Sequence, residues 1–285
     1  MLFHEASQAV FDWIEKQPNV KEESLTDWLL YNLSTKTSRL KYYAFTRNTE
    51  SLNGADWDWW ILTDTYAYRF RVQAKKLSSG KDNYPSICYS NQHGLQIDLL
   101  IESSRDSDSF PLYLFYSCVE QNTPYVLEAY TNEALIDLIR WCEMCTNGVF
   151  IAPAKYIYTS ILDHPRVHIS ASSILNISLK LSMFDMFMRT DVPKLINTQV
   201  EEALNCLNLF CENTLEYSLR YKYGSSFRRT DYRAVPKWLD ILIGNSSTAK
   251  GMPEWFEREF IGQLPNTSGI ASLDLRQNPD ISICE

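Results

Sequence analysis

Three short segments hold the residue types that phosphodiester hydrolysis needs. Gly54-Ala55-Asp56-Trp57-Asp58 puts two carboxylates at the start of a strand-like run, and Val72-Gln73-Ala74-Lys75 closes another run with an amide and an ammonium. Glu22-Glu23 opens a helical segment. A divalent ion neutralises charge developing on a phosphate and lowers the pKa of an attacking water. Mg²⁺ is held by one or two carboxylates, with neutral oxygens, water and substrate filling its remaining positions. A neighbouring ammonium stabilises charge that appears in the transition state.

These segments can meet only if the elements carrying them pack in one way. Alternation of apolar residues predicts strands over Tyr42–Thr46, Asp56–Leu62 and Tyr68–Ala74. Asn53-Gly54 marks a turn before the second, and Thr63-Asp64-Thr65 a hairpin turn before the third. A two-residue loop sets Asp56 opposite Gln73, whereas a four-residue loop sets it opposite Lys75. Opposed hairpin residues share a face and each strand alternates faces, so either register gathers Asp56, Gln73 and Lys75 on one face. Helices are expected at Phe3–Gln17 and Lys21–Leu33, the first closed by Pro18, from apolar residues at helical spacing. Gly80–Asn91 is polar and loop-like. Beyond it come a helix at Leu95–Ile101, a continuous apolar strand at Leu112–Tyr116, a helix at Glu133–Met144 and a strand at Val149–Ile151. The order predicts an α/β fold with a mixed central sheet covered by helices. From about Tyr156 the pattern turns mostly helical (Leu195–Phe210, Pro236–Gly244), with a final strand at Ala271–Leu275. Residues 156–285 are therefore expected to form an extension packed on a core of residues 1–155.

A helix acid, G-x-D and hydrophobic-Q-x-K on consecutive strands resemble the PD-(D/E)xK, restriction-endonuclease-like superfamily. The nearest likeness is to its Mrr-like branch, in which Gln replaces the third acid. Residues 55–77 and Pro111-Leu112-Tyr113-Leu114-Phe115-Tyr116 also resemble an uncharacterised bacterial family of this type. The resemblance covers roughly residues 20–155 and implies an αβββαβ core and a Mg²⁺- or Mn²⁺-dependent endonuclease, with DNA favoured over RNA. Asp56 becomes the principal metal ligand, Gln73 a neutral one and Lys75 the catalytic lysine. Glu23 is preferred over Glu22 as the helix acid by alignment of Leu29-Leu30, although helical phase with Leu25 and Leu29 points to Glu22. Gln96 lies where related enzymes place a further polar residue. Asp58 or Glu50 could supply the carboxylate that Gln73 lacks. Bacterial restriction or phage defence is the implied setting, with a homodimer or a defence-system protein as partner. The alternative class is a catalytically silent nucleic-acid-binding or protein-interaction module on the same fold.

Composition bounds these expectations. The 285 residues carry a net charge of −8, which argues against nonspecific coating of nucleic acid but leaves room for a local basic cleft. Arg69, Arg71, Lys76 and Lys81 could line one. A second basic stretch, with Arg228 and Arg229 among Tyr221, Tyr223, Phe227 and Tyr232, could contact phosphates and stack on bases. Cys142-x-x-Cys145 with Cys206 and Cys211 has the outline of a zinc site, but packed thiols explain those positions better. His93, His164 and His168 form no metal-spaced pair. Seven cysteines in no regular framework, no secretory pattern at the start and no apolar run of membrane length together predict a cytoplasmic protein.

Overall fold

A computed structural model describes residues 1–45, 53–63, 66–119, 146–163, 169–176, 178–186, 230–231, 235–244, 252, 255–260 and 262–276. In chain order its elements are α1 (Leu2–Lys16), α2 (Glu22–Lys36), β1 (Leu40–Ala44), β2 (Trp57–Leu62), β3 (Tyr66–Lys76), β4 (Ser90–Asn91), β5 (Gly94–Leu95), α3 (Gln96–Asp106) and β6 (Phe110–Tyr116). There follow β7 (Val149–Pro153), α4 (Ala154–Asp163), α5 (Ala171–Asn176), β8 (Leu179–Lys180), β9 (Thr230–Asp231), α6 (Lys237–Gly244), α7 (Trp255–Glu259) and β10 (Gly269–Asp274).

The strands form a mixed sheet in the order β1-β10-β2-β3-β6-β7-β8, with β9 paired to the start of β3. β10 runs parallel to β2 and β6 parallel to β3, while the other pairs are antiparallel. Every residue of β6 and β7 is buried, as their unbroken apolar sequences require of strands covered on both faces. One face packs on α1 and α2 through Phe3, Val10, Leu25, Leu29, Trp57 and Val72. The other meets α3, α4 and α5 through Ile97, Leu100, Tyr113, Phe115, Ile157 and Ile174. Toward β10 it is covered instead by Trp238, Leu239 and Phe256 of α6 and α7. Asp185 ties down the start of α1, accepting from the Phe3 and His4 backbone N–H groups at 2.9 and 2.8 Å. These carboxylate contacts satisfy donors that have no partner inside the helix.

The predicted α/β class with a mixed sheet between helices is the observed one. The place of the expected final strand differs. β10 is no attachment to a finished core but sits inside the sheet between β1 and β2, with Ala271 beside both Tyr42 and Trp59. Gly269 opens it where any Cβ would collide with the Trp57 ring. β1 begins two residues earlier than predicted, α3 extends to Asp106, and the polar loop contains a 3₁₀ turn at Pro85–Cys88 and the small β4–β5 hairpin. The helices predicted at Glu133–Met144 and Leu195–Phe210 lie outside the described residues, as do Cys142, Cys145, Cys206, Cys211, His164 and His168. No helix among the described residues is long and apolar enough to cross a membrane.

Candidate active site

The β2–β3 hairpin adopts the shorter of the two registers. Thr63 N–H donates to Tyr66 O at 2.8 Å, and Trp57 pairs with Val72, which brings Asp56 beside Gln73. Asp56 precedes β2 by one residue, and its backbone is pinned on both sides. Its N–H donates to Val72 O at 2.9 Å, and its carbonyl accepts from Ser268 N at 2.7 Å. The turn before it is shaped by Asn53, whose Oδ1 accepts from Ala55 N at 3.0 Å, and by Gly54 at φ +69°. A Cβ on Gly54 would collide with the Gln96 carbonyl and come within 2.8 Å of Leu100 N. The glycine is therefore needed twice, for the left-handed backbone and for the close approach of α3. That approach delivers Gln96 to the site.

The side chains form one connected chain of contacts. Gln96 Nε2 donates to Gln73 Oε1 at 2.7 Å, and Gln73 Nε2 donates to Asp56 Oδ2 at 2.6 Å and to Ala74 O at 3.0 Å. Ala74 N–H also donates to Asp56 Oδ2, at 2.7 Å. Both bonds to Asp56 fall on Oδ2, so Oδ1 takes none. On α2 a Glu22 oxygen accepts from Lys76 N–H. Lys75 is 5% exposed, and its Nζ forms neither a hydrogen bond nor an ion pair with any described residue. Gln96 Oε1 and Tyr113 Oη are buried without a partner, and Tyr113 neighbours Gln73 in the β3–β6 register.

Electrostatics set this cluster apart. Burial pushes the Asp56 carboxyl up to about 6, even though the Lys75 charge and the Ala74 and Gln73 donors pull the other way. Burial, opposed by Lys75 and reinforced by the Asp56 charge, raises Glu22 to about 7. Two desolvated acids beside one ammonium leave negative charge that a cation would neutralise.

Glu22, rather than the preferred Glu23, is the helix acid turned to the site, whereas Glu23 is exposed. Helical phase decided it: Leu25, Leu29 and Leu33 are buried, and Glu22 continues their stripe. Asp58 does not join the cluster. It is fully buried, taking Arg69 Nε at 3.0 Å and Nη2 at 2.8 Å. Arg69 also lies 5.3 Å over the Trp60 ring and donates to Ser107 O at 3.0 Å. Arg71 Nε donates to Ser107 Oγ at 3.0 Å, and Lys76 Nζ to Pro18 O at 2.6 Å. These three of the expected phosphate contacts thus hold intramolecular acceptors. Lys81 is exposed. Glu50, Arg228 and Arg229 lie outside the described residues.

Over residues 1–257 the chain matches the model of DUF6615, a family of unknown function. The chain belongs to that family. No curated protein and no solved structure matches it.

In this DUF6615 chain a carboxylate, a side-chain amide and a backbone carbonyl meet at the site. Gln73 Nε2 faces two oxygens, Asp56 Oδ2 and Ala74 O. A half-turn of that amide, a soft two-fold torsion, would set three oxygens facing one another, which only a cation makes favourable. Among the described residues no three His, Cys, Asp or Glu side chains group as a metal site, so a cation held here would need the Gln73 amide oxygen and the Ala74 carbonyl beside Asp56. Motif reading missed two participants. Tyr113 had a signal, being a hydroxyl-bearing residue at the position of β6 opposite Gln73. The Ala74 carbonyl had none, because every residue carries one.

Proposed function

We propose that this protein is a divalent-metal-dependent nuclease, acting on DNA in preference to RNA. The observation that carries the proposal is the buried convergence of Asp56, Gln73, Lys75 and Glu22 at the open end of one hairpin, with both acids raised toward neutrality. The Asp58–Arg69 ion pair on the same face is engaged, whereas this cluster leaves an ammonium and a carboxylate oxygen unengaged by the described residues.

Asp56, the turned Gln73 amide and the Ala74 carbonyl would hold Mg²⁺ or Mn²⁺. Once bound, the ion would polarise a phosphoryl oxygen and acidify water. Glu22 is held by Lys76 N–H, and its pKa of about 7 suits it to accept the proton of attacking water at neutral pH. Lys75 Nζ supplies positive charge to the phosphoryl oxygens as the transition state forms. Gly54 keeps Asp56 against α3, so these groups stay ordered before substrate arrives.

The test is incubation of the full chain with plasmid, single-stranded DNA and RNA in Mg²⁺, Mn²⁺ or EDTA. Cleavage that requires the ion and is abolished in Asp56→Ala is expected. Cleavage undiminished by EDTA overturns the mechanism.

A further inference from the structure

Glu22 opens α2, and the helix alone does not hold it there. The cap residue, Lys21, supplies no side-chain bond to the first turn, so the end that carries the acid has no cap of its own. Leu25, Leu29 and Leu33 set which face of α2 meets the sheet. All three lie beyond Glu22, however, and apolar packing has no direction that would keep the first turn closed. A directed contact lies one turn further on. Thr26, four residues along the same helix face, places its Oγ1 2.7 Å from Tyr116 Oη and 3.3 Å from the Glu22 carbonyl. Burial pushes the Tyr116 hydroxyl well above its ordinary value, so it keeps its proton. One arrangement of hydrogens satisfies all three atoms: Tyr116 O–H donates to Thr26 Oγ1, whose own hydrogen goes to Glu22 O. Thr26 is 2% exposed and Tyr116 0%, so bulk water does not compete for the pair.

The other end of this link returns to the site. Tyr116 is the last residue of β6 and pairs with Lys76, whose N–H donates to the Glu22 carboxylate. Glu22 is thus tied to neighbouring strands at two points, its carboxylate on β3 and, through Thr26, its backbone carbonyl on β6. We propose that Thr26 and Tyr116 are positioning residues for Glu22, their hydroxyl pair fixing the first turn of α2 so that the carboxylate stays on the Lys76 N–H. The consequence for cleavage rests on the proposed role of Glu22 as base, whereas the placement of its carboxylate does not. Without the pair the uncapped turn opens, and the carboxylate exchanges the Lys76 N–H for water. Neither hydroxyl touches substrate in this scheme, and both act through Glu22.

The experiment reads the Glu22 carboxyl directly. The full chain, labelled with ¹³C at its glutamate carboxyls, is titrated by NMR as wild type, Tyr116→Phe and Thr26→Val, with the Glu22 signal assigned from its loss in Glu22→Gln. The charged and titratable groups around Glu22 are Lys75, Lys76, Asp56, Glu23, Tyr84, Tyr113 and Tyr116, and neither variant changes a charge among them. The wild-type midpoint should lie near 7, and in both variants it should fall toward the ordinary 4.5 as the carboxylate gains water. The Lys76 amide should exchange with solvent about tenfold faster in each, the scale of one lost buried hydrogen bond. Thr35→Val removes a hydroxyl bonded to Asn32 O at the other end of α2 and should leave both readings at their wild-type values. In the cleavage assay kcat should fall about tenfold in both variants while KM holds. A wild-type midpoint near 7 that neither variant moves overturns the positioning and leaves Glu22 standing as base. A midpoint moved in both variants with kcat unchanged keeps the positioning and overturns the base. A wild-type midpoint near 4.5 overturns both.

Discussion

Two polar clusters share one face of the β2–β3 hairpin, two residues apart, and they are built on opposite principles. At the closed end, Asp58 is fully buried and takes both Arg69 Nε and Nη2, while Arg69 and Arg71 meet Ser107 at the end of α3. Positive charge at a helix C-terminus is itself favourable. At the open end, neither Lys75, which is buried, nor Asp56 Oδ1 has a partner atom among the described residues, and two acids are pushed toward neutrality. The same alternating pattern of charge on a strand face thus yields an ion-paired network around Asp58, in which Arg71 Nη1 is nonetheless buried without a partner, and an open polar site around Asp56 and Lys75. The Asp58–Arg69 ion pair separates them, because residue type does not.

The sharpest way to break this comparison is to remove a charge from the closed end. Asp58→Ala removes the carboxylate that pairs with Arg69, leaving it the Ser107 carbonyl and the Trp60 ring, and leaves Arg71 with Asp106 as its opposite charge. Deleting one member of a buried pair costs about 3–5 kcal/mol. Urea denaturation should show a loss of that size, and a loss under 1 kcal/mol would mean the Asp58 network is no more structural than the open end.

At the open end the large effect should fall on chemistry. Lys75→Ala is expected to bind DNA nearly as well as wild type yet lose at least about a hundredfold in cleavage, the scale of one removed electrostatic stabiliser. Asp56→Ala should be equally inactive through loss of ion binding, seen in Mn²⁺ calorimetry. A Lys75→Ala protein cutting at the wild-type rate would make both clusters structural.

Acidity separates the ends next. Asp56 and Glu22 have folded-state pKa values, about 6 and about 7, above their ordinary 3.8 and 4.5. Between roughly pH 4 and 7 the folded chain therefore holds protons that the unfolded chain has released. Their contribution to stability is full below that window and is lost as pH rises through the folded values. Relative to an Asp56→Asn, Glu22→Gln double variant, wild type should lose stability from pH 4.5 to 7.5 in urea titrations. Cleavage should rise over the same interval, since both acids act deprotonated. A wild-type curve parallel to the variant's would show that neither carboxyl is perturbed.

Much of the site was legible because strand parity is strict. Asp56, Gln73 and Lys75 share a face in either register, and Thr63 bonded to Tyr66 selected the shorter one. Glu23 was preferred to Glu22 from the leucine alignment because both adjoin the leucine stripe, and only packing of Leu25, Leu29 and Leu33 fixes the helix rotation. Other features were hidden for physical reasons. The place of β10 between β1 and β2 depends on pairing across more than two hundred residues in sequence, which no local period encodes. Arg69 and Arg71 read as cations lining a phosphate cleft because burial of a guanidinium depends on an acceptor, here Ser107, supplied by another element.

The smallest expected effect is also the one that best opposes the two ends. Lys75→Met and Arg69→Met each replace a cation on the same strand face with an unbranched apolar chain. Arg69 is engaged by Asp58, so its removal leaves a fully buried carboxylate without its principal donors and must destabilise. Lys75 has been desolvated without a hydrogen bond in return. Its only compensation is the field of Asp56 and Glu22, which weakens as those groups take up protons below about pH 6. At pH 5.5 Lys75→Met should therefore gain about 1 kcal/mol, the low end of what replacing buried charge by apolar packing gives. The gain should shrink or reverse at pH 8, where both acids are ionised and need the ammonium. Urea midpoints for the two variants at these two pH values decide it. If Lys75→Met at pH 5.5 loses as much as Arg69→Met, Lys75 is a structural partner like Arg69, and the contrast between the ends disappears.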